Sequence, residues 1–583
     1  MDGDTSGRFT RRHVLESSVV LGLGQYAVGR GAAHEGDHED PTLNRFAVTA
    51  DGAEITGLFL TRRGDLFMNV QHPSSSNDEP YDRGAVGVIE RFSMHDLPRD
   101  FGSVSASRTS DQEDEVRTAF GRHRVLANGG DPIDGSDERL GIAYSADGEP
   151  MNDGDDPDYN GYVPDPETPN RGHLFSNWET TPGVVSRLTL ERTTTSEGPT
   201  WEVLDARNVD FRDVEGTWTN CFGTVSPWGT PLTSEEYEPD AEGWYANGGN
   251  DEYRRYLGYE GNPYRYGYIV EIADPTTDDP TPRKRFALGR FAHENCVVMP
   301  DERTVYLSDD GSNTVFFKFV ADEAGDLSSG TLYAAKVRQE SGRRSDRVSF
   351  LVDWVELAHA TEAEIESWIA GYDRQDPGDA DYLTDEDVRR WARGEADDDR
   401  VAFLESRAAA GAVGATDEFN KMEGVNVKRG ARPGDYLYMA MSRVAGGMSD
   451  TSGDVRVTPN GAGVVYRLPL ETDYDVSYME PAVAGGPDAT VCGGCPVDAH
   501  PGTGSSVCPD CSYNPNDDGG LSGPTTSLLE SQRLTPENTL RNPDNIVVLD
   551  DGRVVIGEDS SRQQNMVWIF APGSENAGAS DSA

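Results

Sequence analysis

One cysteine and two adjacent glutamates form the most informative group of reactive side chains in the sequence. Cys221 enters a stretch whose turn residues indicate a tight hairpin, and Glu235 and Glu236 lie at its exit. An antiparallel hairpin brings its entry and exit to the same end, so the thiol and the carboxylates are predicted to meet. A soft thiolate beside hard oxygen ligands favours a transition metal over calcium alone. The alternative is a buried cysteine beside two solvated glutamates.

The same pattern of strand, turn, strand and polar residues at the open end occurs in five further stretches. Six such hairpins indicate radial repetition. If each hairpin supplies the two innermost strands of a propeller blade, all the polar ends lie on one face around the axis. The alternative is that hairpins with polar ends occur in any β protein. The polar ends carry Gln71-His72 in the first hairpin, Asp158-Tyr-Asn160 with Asn177-Trp-Glu179 in the second, Cys221 with Glu235-Glu236 in the third, His293-Glu294 with Ser308-Asp-Asp310 in the fourth, Glu423 with Ser442-Arg443 in the fifth, and Asp544-Asn545 with Gly557-Glu-Asp559 in the sixth.

The composition fits a large, turn-rich β protein with an acidic surface. The 583 residues include 64 glycines and 34 prolines, and the formal net charge is -52. Nearly all the basic residues are arginines, which together with the acidity predicts a salt-adapted, halophilic protein. Such a charge argues against nucleic acid or a membrane as partner, because their phosphates would be repelled.

The N-terminal residues have the features of an export signal. Arg11 and Arg12 precede a short, weakly apolar segment that ends in small residues near Ala33. This pattern is typical of a Tat signal peptide, and an ordinary basic N-terminus is the alternative. We therefore predict a Tat signal over residues 1–33, an acidic linker over 34–44, and export by the Tat machinery to the cell surface or the medium.

The remaining chain is predicted to form an all-β, six-bladed type of propeller over residues 45–570, followed by a disordered tail at 571–583. Thr361 and Thr384 begin sequences typical of helix N-terminal caps. Together with a candidate helix at 400–411, they predict a helical insertion at about 355–412. A second insertion, at about 486–530, is rich in Gly, Ser, Pro and Asp.

Four of the six cysteines lie in this second insertion as two Cys-x-x-Cys pairs. They predict a closed, structural four-thiolate zinc site that holds the loop together. Two disulfides are the alternative, because an exported chain meets oxidising surroundings. Cys296 enters an apolar strand and is predicted to be a core thiol. The four paired cysteines are Cys492, Cys495, Cys508 and Cys511.

Several motifs, in order, resemble those of the PhoX family of alkaline phosphatases. They include Asn220-Cys-Phe-Gly-Thr-Val-Ser-Pro-Trp-Gly-Thr-Pro-Leu-Thr-Ser-Glu-Glu236, Gly289-Arg-Phe-Ala-His-Glu294 and Pro543-Asp-Asn545. The segment Met68 to Pro73 is similar to a block that the family usually carries near its C-terminus, so the resemblance implies a circular permutation. Asn420 stands where the family tends to have an aspartate, which removes one carboxylate from the pattern.

The resemblance implies a Tat-exported β-propeller with iron and calcium at an axial site. Carried over position by position, it implies Cys221, Glu236, Glu294 and Glu423 as iron ligands. The calcium candidates are Glu235, Asp309, Asp310, Asn545 and Asp559. His293, beside Glu294, is a candidate acid or a partner of the ligands. Arg443, at the exit of the fifth hairpin, is a candidate phosphate clamp.

The predicted function is metal-dependent hydrolysis of phosphomonoesters by a monomer that binds a small phosphorylated substrate. Iron and calcium would polarise the phosphoryl oxygens and offset the developing charge. One alternative is a non-catalytic, metal-stabilised propeller that binds another protein or a surface glycan. Another is hydrolysis of phosphodiesters or phytate at the same site.

Overall fold

The computed structural model describes residues 41–106, 114–245, 249–375, 381–486 and 539–573. The predicted signal peptide, most of the acidic linker and the four paired cysteines lie outside these residues, so the predictions about them stay predictions. The described chain begins with strand β1 (Thr42–Val48), inside the predicted linker. Its first residues already pair with the last strand of the chain, which is why the folded body begins before residue 45.

The strands after β1 form antiparallel sheets in chain order. The first three contain β2 (Glu54–Leu60), β3 (Leu66–Gln71), β4 (Ala85–Glu90), β5 (Arg117–Thr118) and β6 (Arg122–Asn128); β7 (Pro157–Pro164), β8 (Arg171–Trp178), β9 (Val184–Thr195) and β10 (Gly198–Asn208); and β11 (Asn220–Val225), β12 (Pro231–Glu235), β13 (Ile269–Ala273) and β14 (Thr281–Lys284). Of these, β5 pairs with β1 rather than with its neighbours in sequence.

The second half of the chain repeats this arrangement. It contains β15 (His293–Val298), β16 (Thr304–Asp309), β17 (Ser312–Thr314), β18 (Phe317–Glu323), β19 (Asp326–Gln339) and β20 (Phe350–Thr361); β21 (Phe419–Asn420), β22 (Met422–Val427), β23 (Tyr436–Met441), β24 (Val464–Pro469) and β25 (Tyr478–Ala484); and β26 (Pro543–Val548), β27 (Val554–Glu558) and β28 (Met566–Ala571). The short strands β17 and β21 pair with each other, and β20 pairs with β25.

These sheets are the blades of a six-bladed β-propeller. The innermost strands β2, β7, β11, β15, β22 and β26 contact one another in that order, and β26 contacts β2 to close the ring. The N-terminal strand β1 pairs with β28 and is the fourth strand of the last blade, with the short strand β5 outside it. Strands from the two ends of the described chain therefore complete one sheet. Each of the six predicted hairpins supplies the two inner strands of a blade. The predicted all-β propeller is confirmed.

Polar side chains on the inner strands connect neighbouring blades. Gly57 donates its amide hydrogen to Asn545 Oδ1 at 2.9 Å, and Asn295 donates to the Val425 carbonyl at 3.0 Å. The strands also approach closely: a side chain at Gly424 would lie 3.0 Å from the carbonyl oxygen of Asp544. These contacts fix the angular positions of the blades, and with them the residues at the strand ends.

The helices lie mostly in one insertion between the fourth and fifth blades. Helix α1 (Gly249–Leu257) belongs to the third blade; α2 (Glu362–Ile369), α3 (Asp385–Ala392), α4 (Arg400–Leu404) and α5 (Ser406–Ala412) follow β20. Thr361 and Thr384 form capping boxes, as their sequences predict. The helices begin at Glu362 rather than near 355, because β20 continues as an outer strand paired with β19. Trp391 and Phe403 pack into the same core as Leu332 of the blade.

Candidate metal centre

Each inner strand begins with a residue that can bind a metal. The residue is the first in β2 and the second in the other five inner strands. Because the six strands surround the axis, these side chains form a group at one end of it, which we name the first ring. Its members are Glu54, Asp158, Cys221, Glu294, Glu423 and Asp544.

A β-bulge lies at this position in five of the six blades. In the third blade the pairing of Asn220 with Glu235 is followed by a shift before Gly223, and Cys221 lies within the shift. Asp158, Glu294, Glu423 and Asp544 lie within equivalent shifts in their own blades. A bulge leaves its residues outside the regular ladder and changes the direction of their side chains. The backbone irregularity therefore recurs with the potential ligand.

A second set of residues follows the other strand of each hairpin. The residue immediately after β3, β8, β12, β16, β23 and β27 is polar in every blade. We name this set the second ring; it consists of His72, Glu179, Glu236, Asp310, Ser442 and Asp559. Contacts join the rings: His72 Nε2 lies 3.2 Å from Glu54 Oε2, and Ser442 Oγ donates to Glu423 at 2.5 Å.

The two rings bring carboxylate and thiol groups close enough to share metal ions. Within the described residues, four clusters each place three ligand atoms within 4.8 Å of one another. Cys221, Glu294 and Asp544 each belong to two clusters, so the four form a connected series around the axis. The clusters are Asp158/Glu179/Cys221, Cys221/Glu236/Glu294, Glu294/Glu423/Asp544 and Glu54/Asp544/Asp559.

The thiol of Cys221 joins two of these clusters. Its Sγ is 2.8 Å from Asp158 Oδ2 and 2.8 Å from Glu294 Oε2. A thiol has one hydrogen and can donate to only one of them. The group is 7 % exposed, so water has little access to the other contact. A cation among the three atoms satisfies this arrangement, since thiolate and carboxylate are both metal ligands.

The electrostatics of the clusters also favour bound cations. Burial, with the carboxylates of Glu179 and Glu294, raises the pKa of Glu236 well above its usual range. Burial likewise raises the pKa values of Glu179 and Asp544 to about 7. Without cations these groups would hold their protons to a higher pH than ordinary carboxyl groups, because their charged forms are desolvated and repel one another. A divalent cation stabilises the ionised form.

Several buried carboxylate oxygen atoms at the rings have no hydrogen-bond partner within the described residues, which indicates whether metal ions fit there. Asp158 Oδ1, Glu294 Oε1 and Asp310 Oδ1 are buried and make no hydrogen bond within the described part of the chain. A buried polar atom without a partner is costly, and such atoms are uncommon in native structures. Their position at the rings, together with the thiol and carboxylate donors, fits metal ions.

A lysine and a tyrosine lie beside the acidic groups. Lys421 Nζ contacts Asp310 and lies 3.6 Å from Glu423 Oε1, and its side chain is 34 % exposed. Although burial opposes it, the carboxylates of Glu423 and Asp310 raise the pKa of Lys421. Tyr237 is 52 % exposed, and its hydroxyl lies 3.5 Å from Asp310 Oδ2. Both groups are therefore accessible at the edge of the site.

The structure brings together most of the residues predicted as ligands. Cys221, Glu236, Glu294, Glu423 and Asp559 belong to the clusters, and Asp310 contacts the lysine beside them. Asn545 lies next to Asp544, but its Oδ1 accepts the amide hydrogen of Gly57.

Two of the acids predicted as calcium ligands have structural contacts instead. Glu235 forms an ion pair with Lys284 at 2.9 Å and accepts the amide hydrogens of Gly267 and Tyr268. Asp309 pairs with Arg407 and accepts the amide hydrogen of Val315. Neither residue belongs to the four clusters of the described chain.

The two residues predicted as catalytic lie apart from the clusters or at the surface. His293 Nε2 lies 2.9 Å from the Gly289 carbonyl oxygen, and its ring stacks on Phe291. Burial lowers the pKa of His293 to about 3, so it is neutral at ordinary pH. Arg443 is exposed and directly follows Ser442. Cys296 is a free, fully buried thiol, which confirms the predicted core role.

Four residues that the structure places in the clusters were not predicted as ligands from the sequence: Glu54, Asp158, Glu179 and Asp544. The available signal was their position. Each lies at the beginning of an inner strand or directly after its hairpin partner, as Cys221 and Glu236 do. Aligning the six hairpins with one another would have identified both rings.

Comparison with known proteins places the chain near one family. The family described as "Alkaline phosphatase PhoX" matches residues 180–490, more than half of the chain. No curated protein sequence matches the chain.

Several solved structures are similar in fold. PhoX from Pseudomonas fluorescens, in complex with the transition state analogue vanadate, has 20% identity over 70% of this chain and 74% of its own, with a TM-score of 0.45. A gluconolactonase from Xanthomonas campestris has 10% identity over 94% and 99%, with a TM-score of 0.30. Sqt1 from Chaetomium thermophilum has 11% identity over 90% and 98%, with a TM-score of 0.28.

No helix in the described part of the chain is long and apolar enough to cross a membrane.

Proposed function

The chain belongs to the alkaline phosphatase PhoX family and is a phosphomonoester hydrolase; from this premise we propose that the two rings form its active site and bind iron and calcium. The observation that carries the proposal is the connected series of clusters around Cys221. It combines a thiol, several carboxylates and buried oxygen atoms that have no partner. Few arrangements other than a group of metal ions satisfy all three features.

The donor atoms suggest how the metals are distributed. In our proposal, iron binds where Cys221, Glu236, Glu294 and Glu423 meet, because a thiolate favours a transition metal. Calcium binds at Glu54, Asp544 and Asp559, which offer only oxygen atoms. Asp158 and Glu179 extend the ligand set on the other side of Cys221. The bound metals would polarise the phosphoryl oxygens and offset the charge that develops as the ester bond breaks.

The chain's own residues attract and orient the phosphate group. The rings are strongly acidic, so a phosphate ester requires a local positive charge to approach them. Lys421 supplies an accessible ammonium group beside Asp310 and Glu423. We propose that Lys421, rather than Arg443, contacts the phosphoryl oxygens, and that Tyr237 borders the entrance next to it. An ammonium group held by two carboxylates keeps its charge at alkaline pH.

The proposal is tested by p-nitrophenyl phosphate hydrolysis after removal and return of each metal. Chelated protein should be inactive, iron together with calcium should restore activity, and neither metal alone should restore it fully. Metal analysis of wild type beside Cys221→Ala should show iron lost from the variant. If the variant retains its iron, or if fully loaded protein does not hydrolyse the ester, the proposed site is wrong.

Export through the Tat route and a zinc site formed by the four paired cysteines remain part of the proposed function. Both depend on residues outside the described chain. Replacing Arg11 and Arg12 by lysine should leave the protein in the cytoplasm, as seen by cell fractionation. Release of zinc on mild oxidation would identify the four-thiolate site, whereas disulfides would give no zinc in the purified protein.

A further inference from the structure

A cavity lies at the opposite ends of the same six inner strands. Its volume is 710 Å³, within the size range of small-molecule sites. The rings lie where the inner strands begin, whereas this cavity is lined where they end. We name it the far cavity. Each blade contributes an apolar residue from its inner strand to the lining: Leu60, Val163, Val225, Val298, Val427 and Val548.

The far cavity and the rings are separate sites. Phe222, the residue after Cys221, lines the far cavity and is itself 1% exposed. Leu58 lines it in the first blade and is also buried. These large apolar side chains lie between the acidic end of the axis and the far cavity. A molecule in the far cavity is therefore not positioned to contact the metal ligands.

Positive side chains lie among the residues that line the far cavity. Arg62 and Arg63 belong to the turn after β2, and Lys428 and Arg429 belong to the turn after β22. These are two pairs of adjacent cationic residues, one pair from each of two blades. Their position at one opening is an exception in a protein whose net charge is -52. This local charge favours anions where the overall field repels them.

The carboxylates that face these cations leave part of the charge uncompensated. Lys428 pairs with Asp435 at 2.5 Å, and Arg429 lies 3.5 Å from Asp550. Arg62 and Arg63 form no ion pair within the described residues, although Arg63 donates to Asn170 Oδ1. Two carboxylates lie in the lining itself: Asp65 is already paired with Arg192 at 2.8 Å, and Asp165 accepts the amide hydrogens of Glu167 and Thr168.

Arg62 and Arg429 come from different blades and affect each other electrostatically. Burial lowers the pKa of Arg429; the carboxylate of Asp550 opposes this shift, and the positive charge of Arg62 adds to it. Two guanidinium groups that repel each other are stabilised by an anion that contacts both. Arg429 also donates to the Thr61 carbonyl oxygen at 3.1 Å, which holds its guanidinium against the turn that carries Arg62.

We propose that the far cavity binds a small organic oxyanion whose apolar body contacts the valine-rich lining and whose charged group contacts Arg62 and Arg429. Guanidinium groups suit carboxylates and phosphates because they donate two parallel hydrogen bonds. The aromatic ring of Trp228, also in the lining, suits an aromatic or aliphatic body. This inference does not depend on the proposed function, since it concerns the other end of the axis.

The test uses anilinonaphthalene sulfonate, a fluorescent probe that combines an apolar body with an anionic group. Binding is titrated in wild type, in the double variant Arg62→Gln/Arg429→Gln and in Val427→Trp, which fills the cavity. Arg338→Gln is the matched control, because Arg338 lies on the outer strand β19 with an exposed side chain. Phenylphosphonate and phenylacetate then compete for the probe, and their relative strength distinguishes a phosphate-type from a carboxylate-type ligand.

We expect saturable binding that weakens about tenfold or more in the double variant, is lost in Val427→Trp and is unchanged in Arg338→Gln. Added salt should weaken binding to wild type more than binding to the double variant. Phosphatase activity should be the same in all four proteins, which also shows that the variants are folded. Equal affinity in wild type and the double variant, or in wild type and Val427→Trp, would overturn the proposal. So would the failure of both competitors.

Discussion

Adjacent acids at the ends of the second hairpin strands have opposite roles. In Glu235/Glu236, Asp309/Asp310 and Glu558/Asp559, the first acid is the last residue of its strand and the second belongs to the second ring. The first acid faces a cation away from the axis: Glu235 pairs with Lys284 of the same blade, Asp309 with Arg407 of the helical insertion and Glu558 with Arg562 of the same blade. The second acid lies with other acids at the axis.

The two sets of acids differ in whether nearby positive groups balance their negative charge. Side chains of successive strand residues point to opposite sides. The first acid of each pair therefore faces a cation, whereas the next residue faces the other acids at the axis. Glu235 is fully buried, yet its charge is balanced by a lysine and backbone amides. Glu236 is equally inaccessible; its burial and then the surrounding carboxylates raise its pKa. A buried acid is therefore evidence for a metal only where the protein does not neutralise it.

The largest contrast is expected between Glu236→Gln and Glu235→Gln. Glu236→Gln should lower kcat/KM about 100-fold or more, because a metal ligand is lost, a change of several kcal/mol in transition-state stabilisation. The metal-free form of this variant should be more stable than metal-free wild type, since repulsion among the acids falls. Enzyme kinetics and denaturant unfolding of both forms measure these effects.

Glu235→Gln should show the reverse pattern. It leaves Lys284 buried without its partner, which costs about 3–5 kcal/mol of folding free energy. The protein that remains folded should retain its metals and most of its activity per folded molecule. Loss of metal from Glu235→Gln at a temperature where it is folded would contradict the division between the two acids.

Lys421→Met should weaken the contact with the phosphate group. We expect KM for p-nitrophenyl phosphate to rise about tenfold with a smaller change in kcat, since a charge-assisted contact is lost. Lys336→Met is the control. Lys336 lies on the outer strand β19 and pairs with Asp454, and removal of its charge should leave KM unchanged. An unchanged KM in both variants would remove Lys421 from substrate binding.

The stability of metal-free protein should decrease as the pH rises. The pKa values of Glu179 and Asp544 are raised to about 7 in the folded protein, from ordinary values of 4.5 and 3.8. The folded state therefore holds protons that the unfolded state has released, and the stability this provides is lost as the pH passes through about 7. Thermal midpoints of chelated protein from pH 5 to pH 8 measure the effect.

The metal-loaded protein provides the comparison for this titration. Bound cations keep the same carboxylates ionised, so its thermal midpoint should not fall over that range. In chelated protein, Asp544→Asn should reduce the slope. A slope equal in chelated and loaded protein would mean that these acids are not the groups that titrate.

The smallest effect is expected from the second buried thiol. Cys296 and Cys221 are both free and buried, but Cys296 lies in an apolar core. Cys296→Ala should cost about 1 kcal/mol of stability, as expected for a small buried group, and leave activity and metal content unchanged. Iron loss from this variant, measured by metal analysis, would show that the two thiols are not separated in function.

Much of the fold was predictable because its signals are local. Each hairpin is specified by its own alternation of apolar and polar residues and by its turn residues. The starts of two helices, after Thr361 and Thr384, are specified by capping boxes. The proposed ligands Cys221, Glu236, Glu294 and Glu423 were selected from their motifs. The role of Glu235 was not predictable, because its lysine partner comes from a strand 49 residues later in the chain.

The sequence by itself determined six hairpins, each with a potential ligand at its open end, because strand pairing over a short turn depends on nearby residues. Tertiary structure decided which acids meet. Ring closure brings Glu54 of the first blade to Asp544 and Asp559 of the last, nearly the whole chain apart. The bulges then direct Cys221 and its counterparts to the axis, while Glu235 is neutralised by Lys284 of its own blade and Asp309 by Arg407 of the helical insertion. Only the folded chain shows which carboxylates lack a partner.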